Sequence, residues 1–116
     1  MSDSSIQALS ALSEAMQVTA NNVANVSTPE FQASRARFED GPGGQGVRIS
    51  HLDVDHSPGP YQLETMPGGL EYVEGSNVDI GREMVDLILT ENAFSANAVM
   101  VREWDRTMGL VVDLKV

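Results

Sequence analysis

The residues best placed to do chemistry lie near the middle of the chain. His51, Asp53 and Asp55 alternate along the sequence, so on an extended strand their side chains share one face. An imidazole and two carboxylates are donor types that hold divalent metals. No fourth ligand stands at a matching spacing, and the segment also reads as the solvated face of a strand backed by Leu52 and Val54. We therefore expect no metal and no cofactor. His56, beside Pro58-Gly59, reads as a loop residue. Gly41-Pro42-Gly43-Gly44 lacks the lysine and the strand-to-helix setting of a phosphate-cradling loop. No serine sits in a nucleophile elbow, and no pair of carboxylates stands out as an acid–base couple. Trp104 with Val101 and Met108 has the spacing of a packed helical seam rather than of a ligand box. Catalysis is not expected.

The elements that would carry these residues fall into three zones. Residues 4 to about 26 read as a helix, with Asp3 or Ser4 as cap and a capping-box spacing from Ser4 to Gln7. Leu9, Leu12, Met16, Thr19, Val23 and Val26 step by threes and fours along one face. The helix should stop near Asn25, because Pro29 disfavours helical geometry at Thr28. Between Ser4 and Pro29 the only charge is Glu14, an unusual pattern for a helix facing water and one suited to contact on several sides. From about 31 to 77 glycine and proline interrupt short alternating runs. Val47, Ile49, Leu52 and Val54 give one or two strands with a register break, and residues 61–64 and 70–73 give two more.

The third zone, 79 to about 114, carries the strongest helical signal. Ile80, Leu87, Phe94, Val101 and Met108 recur every seven residues, and Met84, Ala98 and Val112 join at the complementary spacing. That period belongs to helices that wrap around a neighbour. Asp79 is the expected N-cap. The fold class is thus mainly α with a small β element. The N- and C-terminal helices pair as an elongated, coiled-coil-like antiparallel hairpin, and short antiparallel β hairpins form the middle, at one end. Residues 1–30 and 78–116 would form one discontinuous helical domain, with 31–77 as a β/loop insert.

Composition narrows the function. The 116 residues include 17 acidic and 7 basic ones, a net charge of −10, which argues against nucleic acid. There are no cysteines for disulfides, thiolate sites or Cys nucleophiles. Residues 1–5 have neither the basic nor the apolar region of a cleaved signal peptide, and no apolar run is long enough for membrane insertion.

Two segments go beyond periodicity. Ala20-Asn21-Asn22-Val23-Ala24-Asn25-Val26-Ser27-Thr28-Pro29-Glu30-Phe31 resembles the N-terminal signature of the flagellar rod and hook axial proteins. In that signature an Ala-Asn-Asn-apolar-Ala-Asn stretch closes a helix before Thr-Pro-Gly-Phe. Ser76-Asn77-Val78-Asp79-Ile80-Gly81-Arg82-Glu83-Met84-Val85-Asp86-Leu87-Ile88 resembles the signature that opens the family's C-terminal helix. Phe94-Ser95-Ala96-Asn97 and the stretch from Met108 to Leu114 are similar in kind. Glu30 stands where the family usually has glycine, and Gln32 where lysine is common. The short centre favours a proximal-rod type, whereas the Thr-Pro turn is more like the distal type.

The resemblance implies a structural subunit of the bacterial flagellar basal-body rod. Such a subunit is exported through the flagellar type III apparatus without a cleaved signal and assembles in the periplasm. It implies an oligomer, with copies of itself and other rod and hook axial proteins as partners. The candidate assembly surface joins Leu9, Leu12, Met16 and Val23, with Asn22 and Asn25, to Val78, Ile80, Met84, Leu87, Phe94, Val101, Trp104 and Met108. The competing reading is a non-enzymatic helical-hairpin adaptor or export-associated binding protein.

Overall fold

The computed structural model describes residues 2–114; Met1, Lys115 and Val116, the outermost residues of the expected helical domain, lie outside the described residues. Helix α1 (Ser2–Ala24) leads into strand β1 (Ser34–Asp40), a 3-10 turn (Pro42–Gly44), strands β2 (Val47–Val54), β3 (Tyr61–Met66) and β4 (Gly69–Glu74), and helix α2 (Ile80–Leu114). The extents are 80 × 24 × 20 Å and the radius of gyration is 20.6 Å. A compact chain of this length would have about 13 Å. The protein is a mainly helical rod with two small hairpins.

Helix α1 starts at Ser2, ahead of the expected caps, so Ser4 lies inside the first turn, and among the described residues no capping box closes on it. It ends where the sequence places the stop. The Asn25 side chain donates to the Asn21 carbonyl (2.8 Å) and accepts from the Thr28 hydroxyl (2.9 Å). One amide thus closes the helix end and fixes the turn into Pro29. Helix α2 starts on Asp79, whose carboxylate accepts from the backbone N–H groups of Gly81 (3.0 Å) and Arg82 (3.4 Å).

The two helices run antiparallel. Asn22, near the end of α1, bonds to Glu83 in the first turn of α2, and Ala15 and Thr19 line a groove with Asp86 and Thr90. Stepping back along α1 is stepping forward along α2. From the Asn22–Glu83 contact, Ser2 falls beside residue 103, so about eleven residues of α2, roughly 16 Å, run past the start of α1. All described residues from 102 onward are exposed.

β1 and β2 pair antiparallel, with Arg37 opposite His51 and Phe38 opposite Ile49. Ser50 is the extra residue, a bulge that resets the alternation. The register break between Ile49 and Leu52 is therefore a bulge within one strand. The partner strand β1 carries no clear strand signal and was not expected. This first hairpin lies along α1 rather than at the end of the helices: Ala11 and Glu14 face Val47 and Ile49, and Gln17 and Asn21 face Ile49 and Leu52 across shallow clefts. The second hairpin, β3–β4, pairs Leu63 with Tyr72 and Thr65 with Leu70 and leaves those apolar side chains in solvent.

The base of the second hairpin is tied to the helix junction. Asn77 accepts from the Ala33 N–H (2.7 Å) and donates to the carbonyls of Asp55 (2.8 Å) and Ser57 (2.9 Å). Gly59 is buried there, and a Cβ on it would sit 2.1 Å from the Gly75 carbonyl oxygen. Glu30 donates its N–H to Glu74 (2.9 Å) while holding φ at 62°, the left-handed region. The turn keeps the geometry a glycine would adopt freely, with a glutamate in it. Left-handed backbone costs a side-chain-bearing residue about 1–2 kcal/mol, partly offset by glycine's greater loss of chain entropy. Glu30→Gly should stabilise the protein by on the order of 0.5–1 kcal/mol, and Gly59→Ala should destabilise it. Thermal unfolding followed by circular dichroism reads both. A lower midpoint for Glu30→Gly would mean that the glutamate side chain contributes more than the strain it carries.

Candidate assembly surface

The helices meet around a polar centre. Asn22 and Glu83 are each 1% exposed. The Asn22 amide donates to the Ser34 carbonyl (2.8 Å) and to Glu83 Oε2 (3.1 Å), and its oxygen accepts from the Ser34 N–H (3.0 Å). One side chain therefore joins α1 to β1 and α2. Arg35, on β1, places Nη1 3.5 Å from Glu83 Oε1 and 3.3 Å from Asp86. Glu83 Oε1 accepts no hydrogen bond, so the guanidinium is its countercharge rather than a full donor. Glu83 also lies in the first turn of α2, where the helix dipole favours negative charge.

The apolar stripe of α1 flanks this centre. Leu9, Leu12, Met16 and Val23 are half-buried, whereas full burial falls to Ala8, Ala11, Ala15, Thr19 and Asn22. Those five lie around the helix from the larger side chains, and Asn22, at their end, is held between α2 and the first hairpin. On α2 the covered side is Glu83, Leu87, Thr90, Phe94, Asn97 and Val101, all buried or half-buried. The seven-residue spine of Leu87, Phe94 and Val101 was legible in the sequence. Its complementary positions were not, because three are polar. Thr90 donates back to the Asp86 carbonyl (2.7 Å) and Asn97 to the Ala93 carbonyl (2.9 Å). With their polar groups satisfied by their own helix, both can sit in a seam.

The other sequence-predicted residues lie elsewhere. Val78 is half-buried at the entry to α2, and Asn25 closes α1. Ile80, Met84, Trp104 and Met108 are exposed, Trp104 and Met108 on the stretch of α2 that outruns α1. Sequence reasoning missed Glu83, Arg35 and the cross-linking amide of Asn77. Spacing counts that follow apolar residues pass over such polar seam members.

The metal-like set does not converge. Asp53 is bound by the Arg37 guanidinium across the strand pair and contacts His51 Nε2 at 3.1 Å. Asp55 lies beyond β2 and accepts from the Ser57 N–H (2.9 Å). Among the described residues no group of three or more His, Cys, Asp or Glu could hold a metal ion. No helix among them is long and apolar enough to cross a membrane. The hydrogen bond from Arg37 is the main force holding the Asp53 carboxyl below its ordinary 3.8. The Ser57 hydroxyl and then its N–H do the same for Asp55.

An elongated helical hairpin with open apolar faces defines a class of building blocks, and the comparisons with known proteins specify it. Residues 3–32 match the family described as flagella basal body rod protein. Residues 71–114 match that described as flagellar basal body rod FlgEFG protein C-terminal. The flagellar basal-body rod protein FlgC of Yersinia enterocolitica is 34% identical over 105 residues, spanning 78% of this chain and 77% of the relative. FlgC of Borreliella burgdorferi is 29% identical over 116 residues, spanning 74% and 76%. The rod protein FlgB of Bacillus subtilis is 27% identical over 103 residues, spanning 82% and 78%. The chain belongs to the flagellar basal body rod protein family. It is a structural subunit of the basal-body rod and not an enzyme.

Two measurements test the local chemistry. Removing Arg35 leaves the Glu83 carboxylate buried without its countercharge, so Arg35→Met should cost about 3 kcal/mol. Arg35→Met with Glu83→Met should recover most of that loss, and denaturant unfolding of the four members of the cycle gives the coupling directly. Simple additivity of the two losses would show that the ion pair contributes nothing. For Asp53, a carboxyl titration by NMR should have its midpoint below 3.8, moving up in Arg37→Gln. Because the folded-state value is the lower one, the stabilising contribution is in place above the unfolded-state value. It is lost as pH falls through the folded-state value.

Proposed function

We propose that the subunit works by polymerising through its terminal helices, with copies of itself and with other rod and hook axial proteins. The flagellar type III export apparatus delivers it to the periplasm. Residues 1–30 and 78–116 act as the assembly domain, with 31–77 as a small β/loop insert. Leu9, Leu12, Met16, Asn22 and Val23, with Leu87, Phe94 and Val101, hold the hairpin closed. Ile80, Met84, Trp104 and Met108 meet neighbouring subunits.

The observation that carries this reading is the amount of surface. The accessible surface is 8067 Å², whereas a compact monomer of this mass would have about 6,200 Å². The difference, about 1,900 Å², exceeds twice the roughly 800 Å² that one partner contributes to a standard interface. Much of what is exposed is large and apolar: Ile88, Leu89, Met100, Trp104, Leu110 and Val112 among others. Exposed apolar surface on this scale marks a protein that buries it against partners.

The purified protein should self-associate, with a mass that rises with concentration in light scattering. Leu87→Asp and Phe94→Asp, which put a charge into the seam, should disrupt association and abolish swimming. Trp104→Glu lies beyond the α1–α2 seam, so it should leave the helical circular-dichroism signal of the hairpin in place while weakening association. His51→Ala should change neither association nor swimming. A protein that remains monomeric at all concentrations, in cells that swim with Phe94→Asp, would end the polymerisation reading.

A further inference from the structure

Helix α2 carries a second seam, separate from the one α1 covers. Val85, Leu89, Asn92, Ala96 and Val99 follow one another at intervals of four, three, four and three, the spacing of a heptad seam. On an α-helix that line lies nearly opposite the line through Glu83, Leu87, Phe94 and Val101. All five are exposed, Val85 by 54%, Leu89 by 61% and Val99 by 44%, with Leu89 at the rim of the groove it lines with Ala15, Thr19 and Phe38. Four are apolar and the fifth, Asn92, is an uncharged amide at the centre. A helix with apolar lines on opposite sides belongs between two others rather than at a surface.

We infer that this back seam of α2 is the docking track for a second copy of this chain, and that the free face of that copy's α1 occupies it in the antiparallel sense. The inference rests on the rod-subunit reading and names its contact. Charge and the central amide decide between the faces a second copy can offer. Arg82 precedes the seam and Glu103 and Arg106 follow it at the same heptad spacing. Two back seams paired antiparallel would set Arg82 against Arg106, Val85 against Glu103, and the Asn92 amide against Ala96. Paired in parallel they would set Glu103 and Arg106 each against its own copy. Both arrangements put like charges or an unanswered polar group into the contact.

The free side of α1 answers these groups. Ile6, Ser10, Ser13, Gln17, Ala20 and Ala24 also follow heptad spacing on the side of the helix away from buried Ala15 and Asn22; Ser13 is half-buried and the others are exposed, Ser10 and Gln17 at the open rim of the shallow clefts beside the first hairpin. None is charged. Asp3 precedes them at the same spacing, and neither it nor Arg106 forms an ion pair among the described residues. Laid antiparallel on the track, this line brings Asp3 to Arg106 and the Gln17 amide to the Asn92 amide. A single paired polar position of that kind fixes register in a helical seam. Ser13 then meets Ala96, Ala20 meets Leu89 and Ala24 meets Val85, so one side of each pair is small and the helix axes can approach to roughly 8–9 Å. Glu103 falls beside Ile6 at the edge of the contact, next to solvent.

Direction follows from repetition. Within one chain α1 and α2 are antiparallel, so an antiparallel contact between chains leaves successive copies pointing the same way. A parallel contact would invert every second copy, which subunits related by rotation about and translation along one rod axis cannot do. Each copy has one track and one occupant, a heterologous contact that leaves both kinds of face free at the ends of a series.

The absence of cysteine gives a clean background for the test. Val99→Cys combined with Ser10→Cys, and separately with Ala20→Cys, is treated with a short bis-maleimide at concentrations where the unmodified protein is oligomeric. Position 99 and position 10 point away from each other within a chain, so a short linker joins them only between chains. The expected result is a ladder of dimer, trimer and higher species from the variant with Ser10→Cys, and monomer from each single variant. Leu89→Asp, at an exposed position, should fold normally by circular dichroism and weaken self-association about tenfold or more. Dimers from Val99→Cys alone would overturn the assignment, as would a ladder from the variant with Ala20→Cys in place of the expected one, or no ladder at all. So would Leu89→Asp cells that swim while Phe94→Asp cells do not. That last pattern would leave the rod-subunit reading intact and reject only this seam.

Discussion

A single buried carboxylate sets where everything else sits. Glu83 has almost no contact with solvent, lies in the first turn of α2, and is held by an amide from α1 and a guanidinium from β1. Burial of a charge is tolerated only with partners placed to answer it. Asn22 and Arg35 must therefore approach from two different elements. Asn22 also exchanges two hydrogen bonds with the backbone of Ser34, so the start of β1 cannot move without moving α1. Three elements far apart in sequence are fixed in register by one polar point rather than by a large apolar core.

That arrangement explains the economy of the crossover region. Asn77 ties the chain leaving α1 to the loop between the hairpins, and Gly59 lets two backbone stretches touch where no side chain would fit. Glu30 accepts a left-handed turn so that its N–H can reach Glu74. Each contact engages the backbone on at least one side. The β3–β4 hairpin can then stand out from the junction with Tyr61, Leu63, Leu70 and Tyr72 in solvent, since its anchor is at its base.

The helices and the helical seam could be read from the sequence because their apolar residues repeat. Leu87, Phe94 and Val101 mark the covered side of α2 by type alone. The rest was hidden by polarity. Thr90, Asn97 and Glu83 are seam members whose polar groups are satisfied locally, which residue type does not reveal. β1 was hidden because Arg35, Arg37, Glu39 and Asp40 make it look like a solvated loop; it is a strand only because β2 is there to pair with it. Missing β1 also hid the fate of the candidate metal residues, since Arg37 on that strand occupies Asp53. The left-handed turn at Glu30 depends on chain crossing far from it and leaves no local trace. The family signatures reached past these gaps because they record position as well as type.

The buried apolar side chains among the described residues are four alanines: Ala8, Ala11, Ala15 and Ala33. Alanine has little surface to hide, so unfolding one subunit uncovers little that was dry. Heat-capacity change and denaturant sensitivity both scale with newly exposed surface, so both should be small for a chain of this length. An isolated copy then has a shallow free-energy well. What deepens it is mass action: every neighbour that binds only the folded form adds to its stability. The melting temperature becomes a property of concentration rather than of sequence alone. The species with a sharp, cooperative transition is the polymer, and a lone subunit can be opened and re-formed with little work.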